Sequence, residues 1–439
     1  MKTWVYSWVI YPLVLALAWL WGRFNPKVRR TLRLRAWKAH LSLRFRAGTT
    51  MEYWIHVASV GELEYAIPLI EELQRRGKGV LVSYYSISAK TRVEALPEQY
   101  RNICLVVPLP HDGLGLMKDF VHLLHQQGVR TLLLMKYELW PGMLWECQAR
   151  RIRVVLVNAI RPGAFHRRLI HKIYAIYMGY ASEAVGLHHP RISIIGDTRV
   201  DRVLERVGGA AGVLEQKLGH AAVEMKAQPL FVIGSLWPTD YDVLRATLQE
   251  TVVMRKNWGI AVVPHEIDSG LDLKVAHDLL RMGYAVTYMD AAGSRVFPTE
   301  DTARYQGPRA WVVNRTGILA ELYSLAVCAY VGGGFNENVH SVWEPALSGA
   351  WTACGPKRGK SPESFELEAA GALTVLQDST QAWGWLEQRM AQGRASTLFT
   401  DGLSRRHRGA AKKVIEKLEV GDEFKRVTSG AATVASRTT

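Results

Sequence analysis

From residue 52 onward, short apolar runs alternate with amphipathic segments, and this alternation constrains the fold more than any other feature of the chain. Runs such as "YWIHVAS", "GVLVSYY" and "TLLLMKY" have the length of buried strands. The segments between them carry apolar residues at helical spacing, as the first one does at Leu63, Ala66, Ile67 and Ile70. Strands that alternate with helices predict parallel sheets built from βαβ units.

The alternation stops and restarts once, which predicts two domains of the same architecture. Residues 208–225 are charged and rich in Gly and Ala, and strand-like runs resume after them with "PLFVIGS" and "GIAVVPH". We therefore predict Rossmann-like, doubly wound domains over residues 50–207 and 226–400, joined by a linker over 208–225. A helix over 401–425 and a disordered tail over 426–439 are expected to follow.

The N-terminus predicts a membrane anchor. Residues 4–22 carry no charge, and as one helix they would extend about 28 Å, close to the thickness of a bilayer's hydrocarbon core. Nine Lys or Arg follow within residues 23–46, and no acidic residue precedes Glu52. The positive-inside rule then places the domains in the cytoplasm, behind an anchor helix over 1–22 and a basic juxtamembrane segment over 23–49. A cleaved signal peptide is the weaker alternative, because no A-x-A-like site follows the apolar run.

Charge and composition restrict the classes of function. A net charge of +15 suits an anionic membrane surface, a phosphorylated substrate or nucleic acid. No RNA-binding motif is present, and neither G-x-G-x-x-G nor G-x-x-x-x-G-K-[ST] occurs, so we expect no nucleic-acid partner and no dinucleotide or P-loop site. The four cysteines are scattered without C-x-x-C spacing, which argues against a zinc site or a disulfide framework.

The stretch "VASVGEL" leaves two roles open for Glu62. Ser59 and Glu62 have the S-x-x-E spacing of a capping box, and a carboxylate in the first turn of a helix is stabilised by the helix dipole. That interaction would lower the pKa of Glu62 and make it a weaker base. A role as general base would need an apolar surrounding to offset this effect.

Further polar residues follow other predicted strands, where ligands of α/β sheets bind. Glu138 stands in "MKYELWPGMLWE" and Arg161 in "NAIRP" at the end of the next strand. These two could form an ion pair between adjacent loops, or they could belong to a site. Ser235 in "IGSLWPTD" and His265 in "VVPHE" lie at two later strand ends, and His265 could equally be a surface histidine.

The stretch "YVGGGFNENVHSVWEP" is the strongest indication of a ligand site. Gly332, Gly333 and Gly334 follow a strand and would let backbone N–H groups approach a ligand, and a helix N-terminus follows them. His340 precedes that helix, and Glu344 lies where it could accept hydrogen bonds from a ribose. The alternative is a flexible loop followed by an acidic first turn.

Taken together, these loops resemble those of the Kdo transferases of lipopolysaccharide assembly. Those enzymes move 3-deoxy-D-manno-octulosonate (Kdo) from CMP-Kdo onto a lipid A precursor. The resemblance covers nearly the whole chain and includes "SVGE", "ELWP", "NAIRP", "GDTRVDR" and a "GGG…H…EP" loop followed by "GP". It implies a GT-B fold, in which two Rossmann-like domains face a cleft, behind a single-pass N-terminal helix in the inner membrane with the catalytic domains in the cytoplasm.

The resemblance also implies roles for residues of the first domain. Glu62 matches the family's proposed catalytic base, and Glu138 matches a second essential acidic residue. The other positions of this domain assigned to substrate binding are Ser59, Gly61, Arg161 and Arg199.

In the second domain Glu344 matches the family's ribose-binding glutamate and His340 the histidine of its H-N-x-x-E-P motif. The residues assigned to donor binding are Ser235, His265, Gly332, Gly333, Gly334, His340, Ser341 and Glu344. Three positions depart from the family. Ser341 stands where an asparagine is common, the loop of His265 lacks an arginine that many members carry, and Lys136 replaces an acidic residue.

The expected function is therefore the inverting transfer of Kdo from CMP-Kdo to a lipid A precursor, lipid IVA. Membrane phospholipids are expected as further partners. The sequence has no D-x-D or compact His/Asp cluster of the kind that holds Mg²⁺, so we expect neither a metal nor a cofactor. One alternative is another anchored GT-B transferase that uses a UDP-sugar. A second is a non-catalytic, membrane-tethered binder of anionic lipid or nucleic acid.

Overall fold

The structure, a computed structural model, divides into two compact units. It describes residues 3–36, 50–161, 163–254, 257–267, 269–297, 308–396 and 398–420. The first unit comprises the chain up to Asp201 and again from His407 onward, and the second unit comprises Arg202–Arg406.

The first unit is built on a parallel sheet. Its described strands are β1 (Met51–Val57), β2 (Gly79–Tyr84), β3 (Ile103–Pro108), β4 (Thr131–Met135), β5 (Arg153–Val157), β6 (Ala175–Met178) and β7 (Ile192–Ile194). They are ordered β3-β2-β1-β4-β5-β6-β7, and every pairing is parallel. Because the order reverses beside β1, the turns after β1 and β4 leave the sheet at its topological switch point, where α/β proteins bind ligands.

Helices cover both faces of this sheet. Its described α-helices are Thr3–Val5, Tyr11–Gly22, Pro26–Arg35, Val60–Arg75, Ile87–Glu94, Leu96–Gln99, Leu116–Gln126, Pro141–Ala149, Ala164–Arg167, Ala181–Ala184 and residues 410–420, with a π-helix Tyr6–Ile10 and a 3₁₀ turn Ile170–Lys172. Along β1 the side chains of Ile55 and Val57 pack on one face and that of Trp54 on the other, as strand alternation requires. The final helix supplies Val414 and Ile415 to the core of the first face.

The second unit repeats the architecture. Its described strands are β8 (Leu230–Leu236), β9 (Gly259–Pro264), β10 (Ala285–Asp290), β11 (Gly293–Val296), β12 (Arg309–Val313), β13 (Ala326–Val331), β14 (Trp351–Cys354) and β15 (Leu373–Val375). The order is β11-β10-β12-β9-β8-β13-β14-β15, with β11 antiparallel at the edge. The prediction of two Rossmann-like parallel-sheet domains is confirmed.

The helices from the unit boundary onward include the predicted linker. Those described are Arg199–Leu218, His220–Lys226, Pro238–Met254, Leu271–Met282, Leu319–Tyr323, Trp343–Leu347, Pro362–Ala369, Ser379–Gln392 and Leu398–His407. Residues 208–225, apart from Gly219 between them, thus lie within two of these helices. Val203, Leu214 and Leu218 are buried along the first of them, and burial of one helical face explains why the Gly/Ala-rich stretch is ordered. The predicted tail, residues 426–439, lies outside the described residues.

The anchor helix predicted over residues 1–22 is not found, and this prediction is corrected. Within the described residues no helix is both long enough and apolar enough to cross a membrane. The apolar run is divided into the helix Thr3–Val5, a π-helix Tyr6–Ile10 and the 12-residue helix Tyr11–Gly22, which extends about 18 Å.

Contacts with the first unit explain the interruption. The carbonyl of Ser7 accepts a hydrogen bond from the Leu114 N–H at 3.2 Å. The buried hydroxyl of Tyr6 donates to Asp112 at 2.8 Å, and the hydroxyl of Tyr11 lies 3.0 Å from Nδ1 of His111. One side of the apolar run therefore packs on protein. The basic segment predicted over 23–49 includes the helix Pro26–Arg35, and its residues 37–49 lie outside the described residues.

Candidate functional site

The turn after β1 forms a variant of the capping box that the sequence predicts, in which Glu62 accepts from the residue before the N-cap rather than from the N-cap itself. Ser59 is the N-cap of helix Val60–Arg75, and its hydroxyl accepts from the N–H of Glu62 at 3.3 Å. Oε2 of Glu62 accepts in return from the N–H of Ala58 at 2.7 Å. Gly61, in the same turn, would place an added Cβ 3.8 Å from the Ser59 hydroxyl. The helix cap is thus real, and it uses Oε2 of Glu62.

The surroundings of Glu62 also favour its proposed role as a base. The side chain is only 5% exposed. Burial, and after it the neighbouring carboxylate of Glu138, raise the pKa of Glu62 to about 8, against the opposing effects of the Ala58 N–H and of Lys136. A carboxyl group with a pKa in this range is a stronger base than an ordinary glutamate, and general bases work best with a pKa near the operating pH. Capping and catalysis are therefore compatible in one side chain.

Glu138 follows β4 and is fixed by an aromatic neighbour. Its Oε2 accepts from Nε1 of Trp140 at 3.0 Å, and burial raises its pKa. The ring of Trp140 stacks on that of Tyr85 at 5.4 Å between centroids. The guanidinium of Arg35 lies 4.2 Å from the Tyr85 centroid and 5.1 Å from the Trp140 centroid. Aromatic stacking and a nearby cation thus hold this acidic residue in place.

Arg35 is a residue whose place the sequence did not reveal. It belongs to the basic helix that the sequence assigned to a membrane-proximal segment, yet it is only 2% exposed. Its guanidinium donates to the carbonyls of Leu109 and Pro110 at 3.0 and 3.1 Å. This charge lowers the pKa of Glu138, in opposition to burial. In the sequence Arg35 is one of nine basic residues within residues 23–46, and no pattern distinguishes it from the other eight.

Asp112 is a second residue that the sequence did not single out. It is fully buried, and its carboxylate accepts from the N–H groups of Gly142 and Met143 at 2.8 and 2.7 Å. These amides belong to the first turn of helix Pro141–Ala149, which follows Glu138 directly. Because Asp112 also accepts from Tyr6, one carboxylate connects the N-terminal helices to the loop of Glu138.

The two predicted basic residues of the first unit make local contacts. Arg161 is exposed, and its guanidinium donates to the carbonyl of Val185 at 2.5 Å while its backbone N–H donates to Glu183. It therefore does not form the ion pair with Glu138 that the sequence left open. Arg199 is buried and pairs with Asp197 at 2.6 Å. Its guanidinium also lies 4.1 Å from the centroid of Tyr65, one turn along the helix of Glu62.

In the second unit, the glycine loop after β13 is shaped by its own close contacts. Gly333 has φ +94, and an added Cβ there would lie 2.3 Å from the carbonyl oxygen of Asn338. A Cβ on Gly332 would lie 2.1 Å from the carbonyl oxygen of Ser235, and one on Gly334 would lie 2.5 Å from the Gly355 nitrogen. The three glycines are required by the loop itself, whatever ligand it meets.

Asp240, which the sequence also did not single out, organises this loop. Its buried carboxylate accepts from the N–H of Gly333 at 2.7 Å, the N–H of Phe335 at 3.2 Å and the hydroxyl of Tyr330 at 2.7 Å. In this structure the amides of Gly333 and Phe335 are therefore already used by Asp240. The helix that follows, Trp343–Leu347, has five residues, so its dipole is small.

Three rings stack beside this loop. The imidazoles of His265 and His340 lie 4.2 Å apart between centroids, and the indole of Trp237 stacks on His265 at 4.5 Å. Nε1 of Trp237 donates to Nε2 of His340 at 3.1 Å. Burial, followed by the charge of His265, lowers the pKa of His340 to about 4, and burial also lowers that of His265. Both predicted histidines are thus brought together, and both are neutral at pH 7.

The remaining predicted residues flank the same loop. Ser235 ends β8 with φ 52, an uncommon left-handed conformation for a residue other than glycine. Glu344 lies in the first turn of Trp343–Leu347, and after burial it is the group that raises the pKa of the buried Tyr323 hydroxyl. Among the described residues, the hydroxyl oxygen of Ser341 is buried without a hydrogen-bond partner.

Among the residues that the structure places, no three His, Cys, Asp or Glu side chains come together in a way that could hold a metal ion.

Comparison with known proteins finds similarity to one family of transferases. Residues 33–202 match the family model of the 3-deoxy-D-manno-octulosonic-acid transferases (kdotransferases). The chain is 25% identical to the 3-deoxy-D-manno-octulosonic acid transferase of Aquifex aeolicus over 75% of this chain and 83% of that one. It is 23% identical to the transferase of the same name from Bordetella pertussis over 92% of this chain and 96% of that one.

Solved structures support the fold. UDP-GlcNAc 2-epimerase from Neisseria meningitidis matches with a TM-score of 0.56 and 12% identity, covering 84% of this chain and 99% of the other. MurG from Acinetobacter baumannii matches with a TM-score of 0.51 and 12% identity over the same shares. These likenesses show two Rossmann-like units of the GT-B type. Residues 33–202 thus match the family model of the Kdo transferases, and over most of its length the chain is similar to curated Kdo transferases at 23–25% identity.

Proposed function

We propose that this protein is an inverting glycosyltransferase that moves Kdo from CMP-Kdo to a lipid A precursor in lipopolysaccharide core biosynthesis. The observation that carries the proposal is the state of Glu62. A buried carboxyl group with a pKa of about 8 lies in the "SVGE" turn of a domain that matches the Kdo transferase family. The switch point beside β1 is also where an α/β sheet binds its ligands.

The proposed reaction is a single displacement. A hydroxyl of the acceptor attacks the anomeric carbon of Kdo while the bond from that carbon to the phosphate oxygen of CMP breaks. The proton of the hydroxyl passes to the ionised carboxylate of Glu62, and the bonding pair leaves with CMP. The carbon passes through an oxocarbenium-like state, as in glycoside hydrolysis, and attack opposite the leaving group inverts its configuration. Glu138 stays a prediction as a second catalytic residue, and Arg161 stays a prediction as a substrate contact.

The donor is proposed to bind at the glycine loop of the second unit. Ser235, His340 and Glu344 flank that loop, and the unsatisfied hydroxyl of Ser341 offers a further contact. The stacked imidazoles of His265 and His340 are neutral, so they can donate hydrogen bonds to a phosphate oxygen without first breaking an ion pair. The expectation that neither a metal nor a cofactor takes part stays a prediction.

The proposal is tested by incubating the protein with CMP-Kdo and a tetraacylated lipid A precursor, followed by mass spectrometry of the lipid. We expect lipid products heavier by one or more whole Kdo residues. Glu64→Gln is the matched control for variants of Glu62, because Glu64 lies on the same helix, Val60–Arg75, and forms an ion pair with Arg92. Unchanged lipid with intact CMP-Kdo would refute the function. In parallel calorimetry, tighter binding of UDP than of CMP would favour a UDP-sugar donor instead.

The N-terminal helices are proposed to hold the protein on an anionic membrane surface, at the cytoplasmic face of the inner membrane. Tyr6 and Tyr11 face the first unit, whereas Leu17, Trp21 and Phe24 are 68%, 61% and 84% exposed. The adjoining helix Pro26–Arg35 is strongly basic. Exposed apolar side chains beside clustered cations are typical of helices that lie in the interface of anionic bilayers.

We expect the double variant Leu17→Ser, Trp21→Ser to bind vesicles of phosphatidylglycerol and phosphatidylethanolamine at least about tenfold more weakly, because burial of each side chain contributes about 1.5–3 kcal/mol. Co-sedimentation measures the loss. Val185→Ser is the control, since Val185 is an equally exposed apolar residue elsewhere in the first unit. Undiminished vesicle binding by the double variant would contradict the membrane role of this surface.

A further inference from the structure

The backbone at Lys136 is in an unusual conformation at the end of β4. Its φ of 57 lies in the left-handed region, which is unfavourable for a residue with a Cβ. Its N–H nevertheless continues the sheet and donates to the carbonyl of Val157 at 3.0 Å. A strained residue between a strand and the loop of Glu138 is a common sign of a constrained functional position.

The side chain of Lys136 reaches the helix that carries Glu62. Its ammonium nitrogen lies 4.7 Å from the ring centroid of Tyr65, three residues after Glu62 on helix Val60–Arg75. The guanidinium of Arg199 lies 4.1 Å from the same centroid. The buried ring of Tyr65 thus fixes the ammonium beside the first turn of this helix. Arg199 is paired with Asp197, whose carboxylate offsets its charge, whereas the charge of Lys136 acts on Glu62.

The charges around Glu62 are unevenly distributed. The carboxylate of Glu138 acts against ionisation of Glu62, and the phenol of Tyr137 lies close enough to both carboxylates for them to raise its pKa after burial. Lys136 is the described side chain whose charge lowers the pKa of Glu62. Arg35 acts on Glu138. Without Lys136, two carboxyl groups would share a buried site with no cation next to Glu62.

We propose that Lys136 is a positioning residue for Glu62, whose ammonium, held over the Tyr65 ring, offsets the Glu62–Glu138 pair and increases the ionised fraction of the acceptor-activating carboxylate. The inference rests on the proposed function, because it concerns the same carboxylate. Lys136 itself neither gives nor takes a proton. It raises the fraction of protein in which Glu62 can accept one from the acceptor hydroxyl.

The first test is the pH dependence of kcat/KM in Lys136→Met and Lys136→Arg. An opposite charge next to a carboxyl group shifts its pKa by about one unit or more. In Lys136→Met we therefore expect the ascending limb to move up by about one pH unit, with about tenfold lower activity at pH 7 and near-normal activity at high pH. Lys136→Arg should restore the wild-type limb. Lys274→Met, which removes a lysine placed 5.6 Å from the Tyr241 ring in the other unit, is the control.

A loss in Lys136→Met that is equal at every pH would overturn the proposal, since it would indicate a purely structural role. So would a loss that Lys136→Arg does not repair.

The second test does not require activity. The carboxyl carbon of Glu62 is followed by ¹³C NMR in protein labelled at glutamate, with its resonance identified by its absence from Glu62→Gln. The proposal expects the titration midpoint to rise in Lys136→Met. An unmoved midpoint would overturn it, even in a protein that transfers Kdo. A raised midpoint in a protein that transfers no Kdo would support the electrostatic role of Lys136 and refute the proposed function instead.

Discussion

Glu62→Gln is expected to lower kcat for Kdo transfer by about 10²–10⁴-fold, the contribution of a general base. The amide oxygen of glutamine can still accept from the Ala58 N–H, so the capping box with Ser59 persists while the proton acceptor is lost. Steady-state rates at saturating CMP-Kdo and acceptor measure the effect. Glu62→Ala should lose both functions, and Glu64→Gln should keep near-normal turnover.

The same substitution separates catalysis from stability. Folding raises the pKa of Glu62 from 4.5 to about 8, so the native protein binds a proton there more tightly than the unfolded chain. The free energy of unfolding of the wild type should therefore fall, relative to that of Glu62→Gln, as the pH rises from about 4.5 to 8. Urea denaturation at pH 5 and pH 9 tests this. If Glu62→Gln is fully active but less stable than the wild type at pH 9, then Glu62 caps the helix and is not the base.

Gly333→Ala is expected to weaken CMP binding by at least about tenfold and to lower the Tm of the protein by several degrees. The substitution forces a Cβ to within 2.3 Å of the Asn338 carbonyl oxygen at φ +94, and strain of this kind costs about 1–3 kcal/mol. The loop must move to relieve it, which also disturbs the hydrogen bond from Gly333 to Asp240. Calorimetric titration with CMP and thermal unfolding measure the two effects.

The control for this variant is Gly359→Ala. Gly359 has no neighbour within 4 Å of an added Cβ, and its φ is not in the positive range, so neither CMP affinity nor Tm should change. Wild-type CMP affinity in Gly333→Ala, combined with a lowered Tm, would place the donor nucleotide away from the glycine loop.

The fold could be predicted from the sequence because strand and helix periodicities are local. In β1 the apolar residues alternate between two buried faces, and in the helix after it they recur every three or four residues. A restart of this pattern is visible without knowledge of any contact. The packing position of the final helix could not be predicted in this way, because Val414 and Ile415 pack in the first unit with residues more than 200 positions earlier.

The N-terminal run shows why hydropathy alone misleads. A side chain that packs on protein and one that packs on lipid can be equally apolar, so the length of the run could not show which surface it meets. The deciding contacts are polar and distant. Tyr6 and Ser7 bond to Asp112 and Leu114, more than 100 residues later.

Candidate site residues could be proposed from the sequence where they stand in a short motif, but not where they depend on a distant partner. Glu62 and Glu344 were proposed because their motifs are contiguous. Asp240 bonds to Gly333, 93 positions away, and in the sequence it resembles an ordinary acidic residue in the first turn of a helix. In the sequence Arg35 likewise looks like a surface cation. Only the structure shows its contacts with the Leu109 carbonyl and the Trp140 ring.

The pH dependence of kcat/KM for Kdo transfer tests the central claim most directly. If ionised Glu62 is the base, the wild type should show an ascending limb with an apparent pKa near 8, and the residual activity of Glu62→Gln should lack that limb. An identical limb in both proteins, or a wild-type rate that does not rise between pH 6 and 9, would show that another group accepts the proton.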